Sequence, residues 1–348
     1  MANIELIDKL AAEGVLSVDE FTELLSSYDA ADRDHAASLA YRIARAEFGT
    51  ALHAWGVIDI SNICARECFC CGICRDSEIE RYRLTVEEVL DCCAEGHRLG
   101  FRSFLLQSGE DPELTDDVIE NLIWRVRKKF GDSAIALSFG ERVRDTYERY
   151  FSAGADRYLL RHETADPEHY AKLHPRRMTL SNRIRALDDL KDIGFQVGCG
   201  MMIGTPFQTP ELLAKDLAFL AEFDPSFATV GPFISSQATR FADEPRGSIE
   251  LTLFVMSLVR IMLPDAGMPV MPTIAVMHSR GREMAVMAGA NIVLPNLTPP
   301  VVREQFAVND GRLTCGPEVA EGFGKLSTRM SAIGYTFASD RGDLPVRH

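Results

Sequence analysis

The sequence predicts an α/β chain folded as a (βα)8 barrel of the TIM type behind an N-terminal helical cap. Three observations carry this. Short apolar runs give way to amphipathic stretches eight times over about 240 residues, the rhythm of βα repeats in a ring. Gly100, Gly154, Gly194 and Gly289 stand in short polar turns just ahead of an apolar run, where one helix stops and the next strand starts. The residues able to do chemistry collect at the ends of the expected strands, which is the active rim of such a barrel. A doubly wound open sheet is the alternative. Eight units suit ring closure better, and no phosphate-binding glycine loop opens the series.

Taken in order, residues 1–50 read as a helical extension. Ile4, Leu6, Ile7, Leu10 and Ala11 keep a helical stripe, and Ser17 with Glu20 resembles a capping box for the next helix. Expected strands are Val57–Ile60, Ser103–Gln107, Ala134–Ser138, Arg157–Arg161, Gln196–Met202, Ala228–Pro232, Pro269–Pro272 and Asn291–Leu294. Helices are expected at Thr85–Leu99, Asp116–Lys129, Arg142–Ala153, Leu180–Ile193 and Pro210–Glu222. The barrel is expected to occupy residues 51–310, with 311–348 as a C-terminal extension.

The bulk numbers fit that plan. A chain of 348 residues with 46% hydrophobic and 25% charged content builds a sizeable core. A net charge of −14 argues against nucleic acid as a partner, because phosphates are repelled. The first residues lack the basic start and apolar core of an export signal. The most apolar stretch, from Leu251 to Leu263, is interrupted by Arg260 and is too short to span a bilayer. Nine cysteines without an export signal suggest reduced, metal-binding thiols and a cytoplasmic protein.

Cys64, Cys68 and Cys71 form a Cys-x3-Cys-x2-Cys run directly after the first strand. Three thiolates on one loop suit three corners of a 4Fe–4S cubane and leave one iron free of protein ligands. Structural zinc is a rival, with Cys71 and Cys74 as one knuckle, but no second knuckle follows. Disulfides belong to secreted chains, and buried thiols of no special role are the remaining reading for Cys70, Cys74, Cys92, Cys93, Cys199 and Cys315.

Further motifs lie along the same rim. Ser108, Gly109 and Glu110 follow the second strand, where a small residue and a glycine let backbone carbonyls approach an ammonium group. Arg161 and Glu163 stand one strand step apart: a guanidinium matches a carboxylate, and a carboxylate accepts from ribose hydroxyls. An internal Arg–Glu ion pair explains the two equally well. Arg183 supplies another cation, while His162 faces the other way and reads as a core histidine. Gly198, Gly200 and Gly204 sit on the fifth strand, not at a first βα turn, and so do not make a dinucleotide fingerprint.

With these residues in view, the chain resembles the radical S-adenosylmethionine (SAM) superfamily, and within it the HydE-type FeFe-hydrogenase maturases. Biotin synthase and methylornithine synthase are more distant likenesses. The stretches Leu106–Pro112 and Gly154–Thr164 carry the resemblance most specifically, and Gly231–Ile234, Leu263–Asp265 and Gly289–Asn296 strengthen it. It implies one 4Fe–4S cluster on Cys64, Cys68 and Cys71, with SAM held by Ser108, Gly109, Glu110, Arg161, Glu163, Arg183 and Met202. Gln107 and Ser138 then face a small-molecule or small iron-complex substrate inside the barrel. The implied reaction is reductive cleavage of SAM to a 5′-deoxyadenosyl radical, in hydrogenase active-site maturation. The implied partners are a one-electron donor, ferredoxin or flavodoxin, and other maturation proteins.

Departures point to the substrate. Cys70 stands where an aromatic residue is common, Phe306 where a tyrosine is common, and Cys315 alone remains toward the C-terminus, so no second cluster is expected. The segment Met271–His278 lacks the threonines usual in the maturases. A mutase of the methylornithine-synthase kind, or another amino-acid-modifying radical enzyme, is therefore an alternative. A non-catalytic iron–sulfur carrier is a reading of another class, and the Arg161, Glu163 and Arg183 set argues against it.

Overall fold

A computed structural model describes residues 2–310 and 319–347; Cys315 lies outside them. The chain opens with helices α1 (Asn3–Glu13), α2 (Val18–Ser27) and α3 (Ala30–Phe48). Strand β1 (Ala51–Ser61), α4 (Val86–Arg98), β2 (Ser103–Ser108), α5 (Asp116–Lys129), β3 (Ala134–Ser138) and α6 (Arg144–Ala153) follow. Next come β4 (Arg157–Leu159), α7 (Pro167–Leu173), α8 (Leu180–Ile193), β5 (Gln196–Ile203), α9 (Pro210–Phe223) and β6 (Phe227–Pro232). The last elements are α10 (Ile249–Met262), α11 (Pro272–Met277), α12 (Gly281–Met287), β7 (Ile292–Val293), α13 (Pro300–Arg303), α14 (Val319–Ala332) and β8 (Thr336–Phe337).

The strands run parallel in the order β6-β5-β4-β3-β2-β1-β7, and β8 pairs with the start of β1. Residues 267–270 close the ring. Gly267 bridges Phe227 of β6, and Pro269 bridges Ile292 of β7. Ala228 N–H donates to Gly267 O at 2.9 Å, and Val270 N–H to Ile292 O at 2.8 Å. The stave expected at Pro269–Pro272 is thus present but makes only scattered bonds. Its two prolines carry no N–H for a ladder, and Pro272 instead opens α11.

Strand periodicity sorts the residues of the bore. Trp55 and Val57 of β1, Leu105 of β2, Ala136 of β3, Phe227 of β6 and Ile292 of β7 form one apolar cluster, with Leu159, Leu294 and Leu344 against it. This is the floor of the barrel interior, and Leu344 brings the C-terminal tail beneath it. One strand step above Val57, Leu105 and Ala136, the same parity turns Asp59, Gln107 and Ser138 into the upper bore. Outside the ring, α1–α3 pack on its flank against α9 and α10, and their apolar stripes join the main core. The Ser17 capping box is present, with Glu20 N–H donating to Ser17 Oγ at 3.3 Å.

Candidate active site

The cysteine loop runs between β1 and α4 at the barrel mouth, and its shape is set by side chains from within it and from far along the chain. Arg81 is its clamp: Nη1 donates to Asn62 O (2.5 Å) and Ile73 O (2.9 Å), and Nη2 to Cys74 O (2.6 Å) and Ser77 O (2.8 Å). Asn62 is fixed in turn by Tyr82 N–H and by the carbonyls of Glu80 and Gln305. Gly72 N–H donates to Val308 O at 2.7 Å, and any β-carbon at Gly72 would run into Ala307 O.

Within this frame, Cys64, Cys68, Cys70 and Cys71 are half-buried and Cys74 is buried, all as free thiols. Burial pushes the thiols of Cys64, Cys68 and Cys71 up, and the neighbouring cysteines add to this at Cys68 and Cys71. Cys70 is pushed up to about 12 by burial and then by Glu163, with Arg161 opposing. The loop, Arg161, Glu163 and, through Cys68, Arg183 therefore share one neighbourhood. Among the described residues, no three His, Cys, Asp or Glu side chains close on a point as a single-ion site demands. A cubane instead takes its thiolates at separate corners.

The turn after β2 lies flat against the loop. Gly109 N–H donates to Ser61 O, and Ala65 N–H to Glu110 O, both at 3.0 Å. A β-carbon on Gly109 would collide with Ile63 O and stand 2.8 Å from Cys64 Cβ, so only glycine permits the approach. Ser108 Oγ donates to Gly109 O at 2.5 Å. Glu110 accepts from Arg66 Nε at 2.7 Å and so braces the loop. Buried Asp111 completes the brace, accepting from Ser61 Oγ at 2.6 Å and from two Arg83 nitrogens.

Strand β4 ends at Leu159, earlier than expected, and the chain leaves it irregularly. Glu163 sits at φ 68°, in the left-handed region rare for a side-chain-bearing residue. That turn brings Glu163 Oε1 within 3.1 Å of Arg161 Nη2 and leaves Oε2 buried without a hydrogen-bond partner. The plain ion pair that the sequence left open is therefore formed, with spare acceptor capacity. Arg183 Nε donates to Glu141 Oε1 at 2.6 Å, and its Nη1 to Arg161 O. Burial works against the Arg183 charge, but Tyr170, Glu141 and Glu163 more than offset it and hold its pKa above the usual value. His162 does face away. It is wholly buried, its ring tilted against Phe219 and its Nε2 3.8 Å from Asp216 Oδ1, and burial holds its pKa down at about 3.

Lower in the bore, Gln107 Nε2 donates to Asp59 Oδ1 at 2.5 Å and Asn296 Nδ2 to Asp59 Oδ2 at 2.9 Å. Ser138 lies beside Gln107 in register. Met202 packs near the mouth with Phe69, Cys70, Leu173, Phe233 and Phe241. Neither Asp59 nor Arg81 stood out in the sequence as a site residue. Asp59 did leave a signal, being a charged residue inside an otherwise apolar strand, which demands a partner.

Comparison with known proteins decides the family. The radical SAM superfamily pattern matches residues 58–220. The [FeFe] hydrogenase maturase subunit HydE of Thermotoga maritima is 38% identical over 319 residues, 90% of this chain and 89% of that one. The chain belongs to the radical SAM superfamily. Among radical SAM relatives, the 3-methylornithine synthase of Methanosarcina barkeri is 28% identical over 87% of this chain and 86% of its own. A crystal structure of methylornithine synthase superposes with a TM-score of 0.84 at 26% identity, covering 96% and 97% of the two chains. The maturase HydG shares the fold at TM-score 0.80 and 19% identity, over 97% of this chain and 76% of that one. Radical SAM membership implies a 4Fe–4S cluster and SAM. Among the described residues, no helix is long and apolar enough to cross a membrane.

Proposed function

We propose that this chain is a radical SAM enzyme of the HydE maturase type, acting in FeFe-hydrogenase active-site assembly. The observation that carries the proposal is the three-thiol loop lying against a glycine turn that no other residue could make. The donor set suits the cofactors: three thiols for the cluster, and a buried Glu163 oxygen still lacking a donor for the nucleotide. Cys64, Cys68 and Cys71 would hold one 4Fe–4S cluster, leaving the fourth coordination site to SAM. When bound, the pair supplies one-electron cleavage of the sulfonium to a 5′-deoxyadenosyl radical.

The protein binds, orients and shields. Carbonyls of the Ser108–Gly109 turn accept from the SAM ammonium, Arg161 meets its carboxylate, and Glu163 accepts from ribose hydroxyls. Arg183 positions Arg161 by holding its carbonyl, and Met202 closes the apolar side near Cys70. The apolar floor keeps water from the bore, where a reactive radical has to last until it meets a small substrate at Gln107 and Ser138. The electron comes from ferredoxin or flavodoxin, in the cytoplasm.

The test is anaerobic reconstitution with iron and sulfide, followed by dithionite and SAM. We expect 5′-deoxyadenosine and methionine, and rescue of a strain lacking its own HydE. Cluster formation without SAM cleavage under any reductant would leave an iron–sulfur carrier instead. A second reading is favoured by Met271–His278, where Pro272–Met277 form α11 beside β6 and no threonine-rich stretch is available. On that reading the chain rearranges an amino acid, and a rearranged product after incubation with SAM and reductant would establish it.

A further inference from the structure

Asp59 lies at the centre of a closed hydrogen-bond circuit that the proposed cofactor site does not use. Its backbone N–H donates to Thr298 Oγ1 at 2.8 Å, Thr298 N–H donates to Asn296 Oδ1 at 2.8 Å, and Asn296 Nδ2 returns to Asp59 Oδ2 at 2.9 Å. Tyr82 Oη–H donates to Asp59 O at 2.9 Å. The residue is wholly buried. Backbone and one carboxylate oxygen are thereby fixed, and the second oxygen, Oδ1, is delivered to Gln107 Nε2 at 2.5 Å.

That delivery settles which way the Gln107 amide points. A carboxylate only accepts, so the amide NH2 must face Asp59, and the amide oxygen Oε1 must turn away from it. Gln107 is half-buried, as are Ser138, Leu294 and Met271 around the upper bore, so this face of the amide meets open space. Donation to a carboxylate also draws electron density toward Oε1 and strengthens it as an acceptor. Without Asp59 the amide could rotate and offer a donor instead.

We infer that Asp59 is a positioning residue that locks Gln107 as a hydrogen-bond acceptor, so that the bore selects substrates presenting an N–H donor, an ammonium group above all. The inference rests on the bore being the substrate chamber of the proposed enzyme. It makes the substrate of either reading one with a free amino group on the side facing β1 and β2. Carboxylates of similar size are disfavoured there, because Oε1 offers them no donor.

The experiment uses n-butylammonium and butyrate, equal in length and opposite in charge, as probes of the anaerobic, SAM-loaded full chain. Calorimetric titration should give n-butylammonium at least a tenfold advantage over butyrate, with its nitrogen beside Gln107 Oε1 in crystals soaked with it. Asp59→Asn should remove that preference while iron content, SAM affinity and substrate-free SAM cleavage change less than twofold. Gln107→Glu, which keeps an acceptor, should retain the preference, and Gln107→Leu should abolish it even if Asp59→Asn fails to fold. Equal binding of the two probes, no binding of either, or an undiminished preference in Asp59→Asn or Gln107→Leu would overturn the inference. Failure of wild-type SAM cleavage with the preference intact would count against the enzyme reading alone.

Discussion

Arg157 opens β4 and Arg161 lies just beyond its end, and their surroundings differ in a way that separates architecture from chemistry. Arg157 is completely buried and saturated. It donates to Gln196 Oε1 (3.0 Å), Ser103 Oγ (2.9 Å), the carbonyls of Arg341 (2.7 Å) and Gly342 (2.9 Å), and Asp343 Oδ1 (3.1 Å). Its guanidinium also lies 4.7 Å from the Trp55 ring centroid and 5.4 Å from that of Phe227. Burial nonetheless draws its pKa down to about 10. Arg161 is half-buried, paired with a strained neighbour, and beside a carboxylate oxygen with no donor. A folded protein leaves few buried polar atoms unmet, and the Glu163 oxygen beside Arg161 is one that a ligand's donor would satisfy.

The sharpest way to break this contrast is at the mouth. Cys64→Ala, Cys68→Ala and Cys71→Ala should each lose nearly all cluster iron and all SAM cleavage, whereas Cys70→Ala and Cys74→Ala should keep iron close to wild type. Iron analysis after reconstitution decides, and loss of iron from Cys74→Ala alone would mean that the ligand set is wrong. Arg157→Ala should cost about 3 kcal/mol or more in denaturant unfolding, because several buried acceptors lose their donor together. Arg161→Ala should leave stability within about 1 kcal/mol and weaken SAM binding at least tenfold. The reverse pattern would dissolve the distinction drawn between the two arginines. Arg81→Lys should slow cluster reconstitution severalfold with little effect on melting, since an ammonium cannot span four carbonyls of the loop.

The smallest effect concerns the wall behind Arg161. Burial pushes Asp216 up to about 8 and holds His162 down at about 3. Between about pH 4 and 8 the folded chain keeps an Asp216 proton that the unfolded chain has released, so this carboxyl makes stability fall as pH rises. Up to about pH 6.5 the buried imidazole acts in the opposite sense, because the unfolded chain binds a proton there that the folded chain refuses. From about pH 6.5 to 8 the carboxyl acts alone of the two and should cost about 2 kcal/mol. Denaturant melts at both ends of that window should show the loss in wild type and a smaller one in Asp216→Asn.

Local signals carried much of this into the sequence. Helices α5 and α8 begin and end where periodicity and capping residues put them, since Thr115 and Thr179 cap them and Gly194 stops the second. What stayed hidden depends on partners distant along the chain. Strand β1 starts at Ala51, not Val57, because Ala51 and Leu52 pair with Thr336 and Phe337. The left-handed turn at Glu163 follows from its N–H reaching Gly200 O, a bond that strand propensity does not foretell. Arg81 looks like any surface cation until the carbonyls of the cysteine loop gather round it. The cysteine spacing stands out in the sequence because three thiols so close on one loop suit a cluster whatever fold carries them.

The floor of the bore has a temporal side. All eight staves are synthesised by Val293, yet Arg157 waits for the carbonyls of Arg341 and Gly342 before its hydrogen bonds are complete. A nascent barrel therefore holds this guanidinium by Gln196 and Ser103 alone, with its Nη2 still lacking a partner through a further stretch of translation, and its base is completed only when the tail arrives.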